Sequence, residues 1–334
     1  MKTKLAELLL DWYKVNGRDL PWRYKGGAHP NPYAVLVSEF MLQQTTVKTV
    51  VSYFDRFMER FPTVFDLAKA SEEEVFACWQ GLGYYSRAKA LLQTAKMIVE
   101  ERNGVFPETK KDVLALKGIG LYTVASFLAL AFNKPESVVD GNVIRVICRL
   151  FHITQPLESV KDTVVKRAKR IASKECPADY ASAIMDLGAL VCTPKNPQCF
   201  RCPWQAFCRS KNCSDIESIP QKKKLAKKER HGFVYLVQDA SGNVFIRKRT
   251  EKGLLSGLYE LPWNEEAKIK EAKFTEIVIT HVFTHFKLTL QVCTIGAENW
   301  VSPDGFFVPR EKISDYPAST LMKKVYREVK EKFL

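Results

Sequence analysis

No apolar run in the sequence reaches the roughly 18 residues that a membrane-spanning helix needs, so a helical membrane anchor is not expected. The pattern of an export signal is missing too. The segment Met1 to Tyr13 carries Glu7 and Asp11 around a short Leu-rich patch, which reads as an amphipathic helix. A soluble, intracellular protein is expected, cytoplasmic and nucleoid-associated if the source is bacterial. Acidic residues are in short supply: Asp plus Glu number 37 against 51 Lys plus Arg, a formal balance of +14. That excess favours a polyanionic partner, most simply nucleic acid. Cysteine is not scarce. Nine are present, and without an export signal they point to metal ligation or buried thiols rather than disulfides.

With 334 residues the chain is long enough for two domains. Residues 1–215 show few strand signals. Helix-like spacing runs through Val35 to Met58, Ser71 to Trp79, Ala88 to Glu100 and Val160 to Ser173. Thr63, Ser71 and Thr109 stand where N-caps belong. Residues 216–230 are polar and include a lysine-rich run, which reads as a basic linker. From 231 to 334 the period changes to two. Phe233 to Gln238 and Asn243 to Arg249 alternate around Ser241-Gly242, as in a hairpin. Glu276 to Thr284 and Phe286 to Thr294 add two strands, and a helix closes the chain from Ser319 to Phe333. The expected architecture is a mostly α domain followed by an α+β domain.

The stretch Leu116 to Asn142 organises the first domain. Gly118 and Gly120 interrupt two helical patterns, Glu108 to Leu116 and the nearly all-apolar Leu121 to Phe132. Glycines permit positive φ and close backbone approach. Such a hairpin, opening a helix, presents N–H groups to an anion, for which a DNA phosphate is the natural occupant. A plain turn between two core helices is the alternative. Gly81-Leu82-Gly83 repeats the style before another helix.

Cys192, Cys199, Cys202 and Cys208 form a C-x6-C-x2-C-x5-C array among Pro194, Pro197 and Pro203, so the array lies on a loop. Zinc and a cubane iron–sulfur cluster both accept four cysteines. A single C-x2-C with longer arms suits the larger group. Cys78, Cys148, Cys176, Cys213 and Cys293 have no such spacing and read as buried or ordinary thiols.

Two carboxylates stand out. Glu39 lies in Ala34-Val35-Leu36-Val37-Ser38-Glu39-Phe40-Met41-Leu42, where only Ser38 and Glu39 are polar. In a core helix its charged form is disfavoured, and the alternative is an ion pair at a helix surface. Asp140 follows Val138-Val139 and precedes an apolar helix, as an ordinary N-cap does. One protonated and one ionised carboxylate suit glycosidic-bond cleavage, an acid for the leaving base and a counter-ion for the sugar.

The hairpin, the aspartate about twenty residues beyond it and the cysteine tetrad together resemble the helix–hairpin–helix DNA glycosylase superfamily with a 4Fe–4S cluster. Four further stretches are similar to the MutY-type adenine DNA glycosylases: Leu20-Pro21-Trp22-Arg23, Ser38-Glu39-Phe40-Met41-Leu42-Gln43-Gln44-Thr45, Gly81-Leu82-Gly83-Tyr84-Tyr85 and Val139-Asp140-Gly141-Asn142. The similarity continues through Gly253 to Pro262 and Phe283-Thr284-His285. It implies a mostly α helix–hairpin–helix glycosylase domain with an iron–sulfur loop, and an α+β Nudix-like domain that reads 8-oxoguanine. The implied reaction is removal of adenine mispaired with 8-oxoguanine or G in duplex DNA, by a monomer. Glu39 would be the general acid and Asp140 the oxocarbenium stabiliser, with Tyr122 and Asn142 lining the sugar side. Gln44, Thr45 and Tyr84 would contact or enter the base stack, supported by Leu82. Lys117, Gly118 and Gly120 would hold phosphate, Thr284 and His285 would meet 8-oxoguanine, and Arg23 and Asp186 would line the adenine pocket. The family's commoner residue at position 284 is serine, so Thr284 keeps the hydroxyl and adds a methyl.

Bifunctional members of the superfamily carry a lysine where this chain has Tyr122, and a phenol forms no Schiff base. A monofunctional glycosylase is therefore expected. No Nudix-box glutamates follow a glycine, so no nucleotide hydrolysis is expected. The alternatives are an endonuclease III-like pyrimidine glycosylase and a non-catalytic Fe–S DNA-binding protein. Tyr122 and the second domain weigh against the first, and the buried acid against the second.

Overall fold

The computed structural model describes residues 2–23, 30–221, 227–251, 253–266, 269–300, 302 and 304–333. Most of the lysine-rich run of the expected linker lies outside them. The chain divides into two compact units, one of Met1–Lys69 and Ala90–Lys224, the other of Ala70–Lys89 and Leu225–Leu334.

The helices in chain order are α1 (Lys2–Asn16), α2 (Pro32–Leu42), α3 (Val47–Arg60), α4 (Val64–Lys69), α5 (Glu72–Trp79), α6 (Tyr85–Arg102), α7 (Lys110–Ala115), α8 (Leu121–Phe132), α9 (Gly141–Phe151), α10 (Leu157–Ile171) and α11 (Pro177–Leu190). Three of them are apolar nearly all round and form the centre of the first unit. Tyr33 to Met41 of α2, Thr123 to Ala131 of α8 and Tyr180 to Gly188 of α11 are buried without a break. Helix α8 packs against both α2 and α11. Each large aliphatic or aromatic side chain buried there contributes about 2 kcal/mol of transfer free energy. Amphipathic helices such as α3 and α9 wrap this centre with one face in and one out.

Thr63, Ser71 and Thr109 cap α4, α5 and α7, and Ser71 makes a reciprocal capping box with Glu74. The expected helical stretch from Val35 to Met58 is corrected to two helices. Gln44 takes φ +61°, and the Thr46 hydroxyl accepts from the Thr49 N–H to start α3 afresh. A left-handed residue ends the i→i−4 ladder that hydrophobic spacing alone would continue.

In the second unit the strands are β1 (Lys228–Gln238), β2 (Val244–Lys248), β3 (Tyr259–Glu260), β4 (Trp263–Asn264), β5 (Lys273–Val282), β6 (Phe286–Gly296) and β7 (Phe306–Val308). The sheet order is β3-β2-β1-β6-β5, with β4 on β1 and β7 on β2. Helix α12 (Thr320–Phe333) buries Leu321, Met322, Val325 and Val329 against Val234, Leu236, Leu288 and Leu290. The turn expected at Ser241-Gly242 is present, with Gly242 at φ +77° and the Ser241 and Asn243 N–H groups donating to Asp239. Its ladder is a single pair, Gln238 with Val244, while β1 runs parallel to β6 along its whole length. Tyr235 and Val237 pack in a second cluster on the face away from α12, and a strand buried on both faces belongs mid-sheet.

Residues 70–89 pack with this sheet although the sequence sets them among the helices of the first domain. Glu73 pairs with Lys248, the Tyr85 hydroxyl donates to the Ala318 carbonyl at 3.4 Å, and Phe76 lies against Gly257. Gly257 sits at φ +83°, and a Cβ there would come within 2.9 Å of the Phe76 ring.

Candidate active site

Helix α2 starts sharply. Pro32 occupies its first turn, and the Asn31 side chain accepts from the Tyr33 N–H. Two turns on, Glu39 is only 4% exposed. Burial pushes its carboxyl up to about 7, opposed by the Ser126 hydroxyl and Arg23 and reinforced by Asp140. The carboxylate of the apolar helix is thus a core group, not half of a surface ion pair.

Asp140 is both an N-cap and a pocket residue. Its Oδ1 accepts from the Val143 N–H at 2.6 Å and its Oδ2 from the Asn142 amide at 3.0 Å. Burial raises its carboxyl, while these donors and Arg145 act the other way. The Asn142 oxygen is held by Arg145 Nη2 at 2.9 Å. Arg145 also donates to the carbonyls of Gly188 and Cys192, at 2.7 Å each. A Cβ at Gly188 would lie 2.6 Å from Asn142 Cβ, so glycine sets how closely α11 approaches α9.

The hairpin between α7 and α8 turns at Gly118, φ +70°, whose added Cβ would strike Ala90 at 2.6 Å. Gly120 is the N-cap of α8, with nothing within 4 Å of where a Cβ would stand. Lys117 is exposed, and its carbonyl accepts from Thr94 Oγ1 at 2.9 Å. The Tyr122 hydroxyl reaches Met185 Sδ at 3.9 Å. Burial first, then Glu39 and Asp140, raise the phenol well above its ordinary value. A cavity of about 950 Å³ gathers Arg23, Glu39, Gln44, Thr45, Gly118, Gly120, Tyr122, Asp140 and Asn142 into one lining. Glu39, Asp140, the hairpin glycines and Gln44, spread over a hundred residues of sequence, share that space.

Asp186 stands elsewhere than expected. It is fully buried and is not part of the cavity lining. The Arg18 N–H, Nε and Nη2 donate to it at 2.8, 2.9 and 2.6 Å, and Arg23 Nη1 at 2.8 Å. Burial opposes its ionisation, but Arg23 and Arg18 outweigh it and hold the carboxyl below the usual range. It holds the two arginines that do line the cavity. Arg18, Arg145 and Ser126 were not singled out from sequence. The signal available for Arg145 was its place three residues after Asn142 and four before Arg149, on one helix face.

The four tetrad cysteines line one small cavity with Arg149 and Lys211. Burial pushes the Cys202 thiol up to about 12 and raises Cys199 and Cys208. A buried thiol becomes a ligand only when a cation offsets its charge. Zinc would draw four sulfurs to within about 3.8 Å of one another, given bonds of about 2.3 Å. Among the described residues, no three tetrad sulfurs lie within 4.8 Å of one another. Four cysteines round one cavity are a donor set that fits an iron–sulfur cluster as well as zinc. Arg149, 1% exposed, grips the loop through the Thr193 carbonyl at 2.6 Å and the Pro194 carbonyl at 2.9 Å, with Cys192 Sγ at 3.6 Å.

The remaining expected residues lie in the second unit. Thr284 and His285 form the exposed turn between β5 and β6, which the Phe283 N–H closes onto the Phe286 carbonyl at 2.8 Å. The Tyr84 and Thr284 hydroxyls are hydrogen-bonded to each other. Tyr84 takes φ +50° and is 45% exposed, whereas Leu82 is buried.

Residues 37–172 match the model of the HhH-GPD superfamily of base excision DNA repair proteins, and residues 233–328 match that of the NUDIX domain. The adenine DNA glycosylase of Rattus norvegicus is 34% identical, over 98% of this chain and 78% of its own. A thermostable thymine-DNA glycosylase structure is 27% identical with a TM-score of 0.56, over 63% of this chain and 95% of its own. A non-covalent endonuclease III–DNA complex is 25% identical with a TM-score of 0.50, over 63% and 96%.

Proposed function

We propose that this chain, which belongs to the adenine DNA glycosylase family, excises adenine lying opposite 8-oxoguanine or guanine in duplex DNA, as a monofunctional enzyme and a monomer. The observation that carries this is the pairing of a buried mid-helix Glu39 with a helix-capping Asp140 in one cavity. With its carboxyl near 7, Glu39 is protonated in about half of the molecules at neutral pH, where a general acid works best. It donates to N7 of adenine as the C1′–N9 bond breaks and the electron pair leaves with the base. Asp140 faces the positive charge that grows on the sugar. Water then adds to C1′ and returns its proton to Glu39. Tyr122 closes the route through an imine.

An extrahelical base would lie in the cavity against Arg18 and Arg23, oriented from behind by Asp186. Gly118 and Gly120 offer N–H groups at the start of α8 to a phosphate, with Lys117 beside them. Gln44, on a left-handed turn at the cavity rim, would meet the base stack, as would Tyr84. The exposed Thr284-His285 turn would contact 8-oxoguanine. Cys192, Cys199, Cys202 and Cys208 would hold a 4Fe–4S cluster, which when bound supplies a rigid cross-link of the loop that Arg145 and Arg149 grip. Strand scission on duplexes carrying adenine opposite 8-oxoguanine, G or T, with and without alkali, tests the proposal. Alkali-dependent breaks on the first two duplexes are expected. No product on the first would overturn the substrate, and breaks without alkali would overturn the monofunctional mechanism.

A further inference from the structure

We propose that His152, Cys213 and Asp215 form a second metal site, for a single zinc ion, distinct from the cysteine tetrad. One ligand atom from each residue lies within 4.8 Å of the others. Tetrahedral zinc spaces nitrogen, oxygen and sulfur ligands roughly 3.3–3.6 Å apart, given bonds of about 2.0–2.3 Å. Closing the remaining gap takes side-chain rotation of about an ångström and no change of fold.

The three residues are presented in the way such a site requires. His152 is the C-cap of α9 at φ +51°, its N–H held by the carbonyls of Cys148 and Arg149, so its Cα is fixed. Its Nδ1 is hydrogen-bonded at 2.9 Å to the hydroxyl of Ser210, itself fully buried. That bond orients the ring and leaves Nε2 facing Asp215 Oδ2 at 3.9 Å. A second nitrogen tied to a fixed acceptor is the outer-shell arrangement that metal-binding histidines use. Asp215 opens a short 3-10 turn, Ile216–Ser218, without spending its side chain on the cap. Cys213 Sγ approaches the Arg209 carbonyl at 3.5 Å and is only partly covered.

A thiolate and a carboxylate neutralise a divalent cation, the neutral imidazole completes three protein ligands, and water takes the fourth position. The thiol proton leaves to solvent on binding. None of the three residues lines the tetrad cavity. A mixed nitrogen, sulfur and oxygen set suits zinc and offers too few thiolates for an iron–sulfur cluster. The ion would tie the C-terminal end of α9, whose N-terminal end carries Asp140, to the segment that follows Cys208.

The test uses the full chain with its iron complement intact, treated with a chelator, given one equivalent of zinc and desalted. Zinc and iron per chain are then measured by mass spectrometry. About one zinc is expected with iron unchanged. Cys213→Ser and the exposed Asp215→Asn should each lower zinc affinity at least tenfold against a competing chromophoric chelator, with iron again unchanged. The proposal is overturned if wild type takes up no zinc, if zinc rises only as iron falls, or if both variants bind as tightly as wild type. The last result would leave a plain His152–Asp215 pair beside a free thiol.

Discussion

Replacing Glu39 by glutamine is expected to abolish excision and, at the same pH, to stabilise the fold. The carboxyl is raised from 4.5 to about 7, which at 1.36 kcal/mol per unit amounts to about 3 kcal/mol. Below pH 4.5 the group is neutral in both states and costs nothing. Between 4.5 and 7 the unfolded chain ionises while the folded one does not, so stability is lost as pH rises through that window and stays lost above it. Glutamine has nearly the same shape and never ionises. Its advantage should be under about 1 kcal/mol at pH 5 and about 3 kcal/mol at pH 8. For a domain of roughly 200 residues that is a rise of about 10 °C in melting temperature at pH 8. Thermal melts of both proteins from pH 4.5 to 8.5 measure it, and single-turnover excision of adenine measures the lost proton. Equal melting temperatures at pH 8, or a difference that does not change with pH, would refute a desolvated Glu39.

Four further outcomes are expected. Single-turnover excision by the wild type should fall about tenfold per pH unit above 7, as the acid form of Glu39 is titrated away; a rate that rises between pH 7 and 9 would remove Glu39 from the acid's place. Asp186→Asn leaves Arg18 and Arg23 facing a neutral amide, and loss of one partner of a buried pair costs about 3 kcal/mol. Because Asp186 is held below its ordinary value, that stability is full above about pH 4 and is lost as pH falls through the depressed folded value, so the gap in melting temperature between wild type and variant should be wider at pH 7 than at pH 3. Gly118→Ala meets both positive φ and a 2.6 Å contact with Ala90, costing about 2 kcal/mol or more. Gly120→Ala has open space and should leave the melt unchanged while weakening DNA binding in a gel-shift titration.

Much of the site was legible because its residues break local rules. Glu39 is the one charge in an apolar helix, Tyr122 stands where a lysine would change the chemistry, and the tetrad has a spacing that loops rarely carry by chance. What was not legible depends on pairs far apart in the chain. Arg18 and Asp186 are 168 residues apart, and nothing local in the sequence pairs them. The break at Gln44 leaves no mark on hydrophobic spacing, since α2 and α3 are both good helices and only the left-handed turn separates them. The partners of β1 escaped for a similar reason. A turn signal at Ser241-Gly242 favours the nearest strand, whereas burial on both faces gives β1 to β6, nearly fifty residues on.

The two carboxylates differ in environment because of where each sits on its helix. Glu39 lies in the eighth position of α2, where the backbone N–H groups are already spent on the helix ladder. Burial outweighs the Ser126 hydroxyl and Arg23 there, and the carboxyl is pushed up to about 7. Asp140 stands at the N-cap of α9, where N–H groups have no partner within the helix and the dipole favours negative charge. The Val143 N–H and the Asn142 amide hold its two oxygens, so burial of the same kind is answered by donors. Arg145 fixes Asn142 from the far side and is itself anchored on the Cys192 and Gly188 carbonyls. The tetrad loop is thus tied to Asp140 through geometry: the Cys192 carbonyl holds Arg145, Arg145 holds Asn142, and the Asn142 amide is one of the donors that oppose the rise burial imposes on the Asp140 carboxyl.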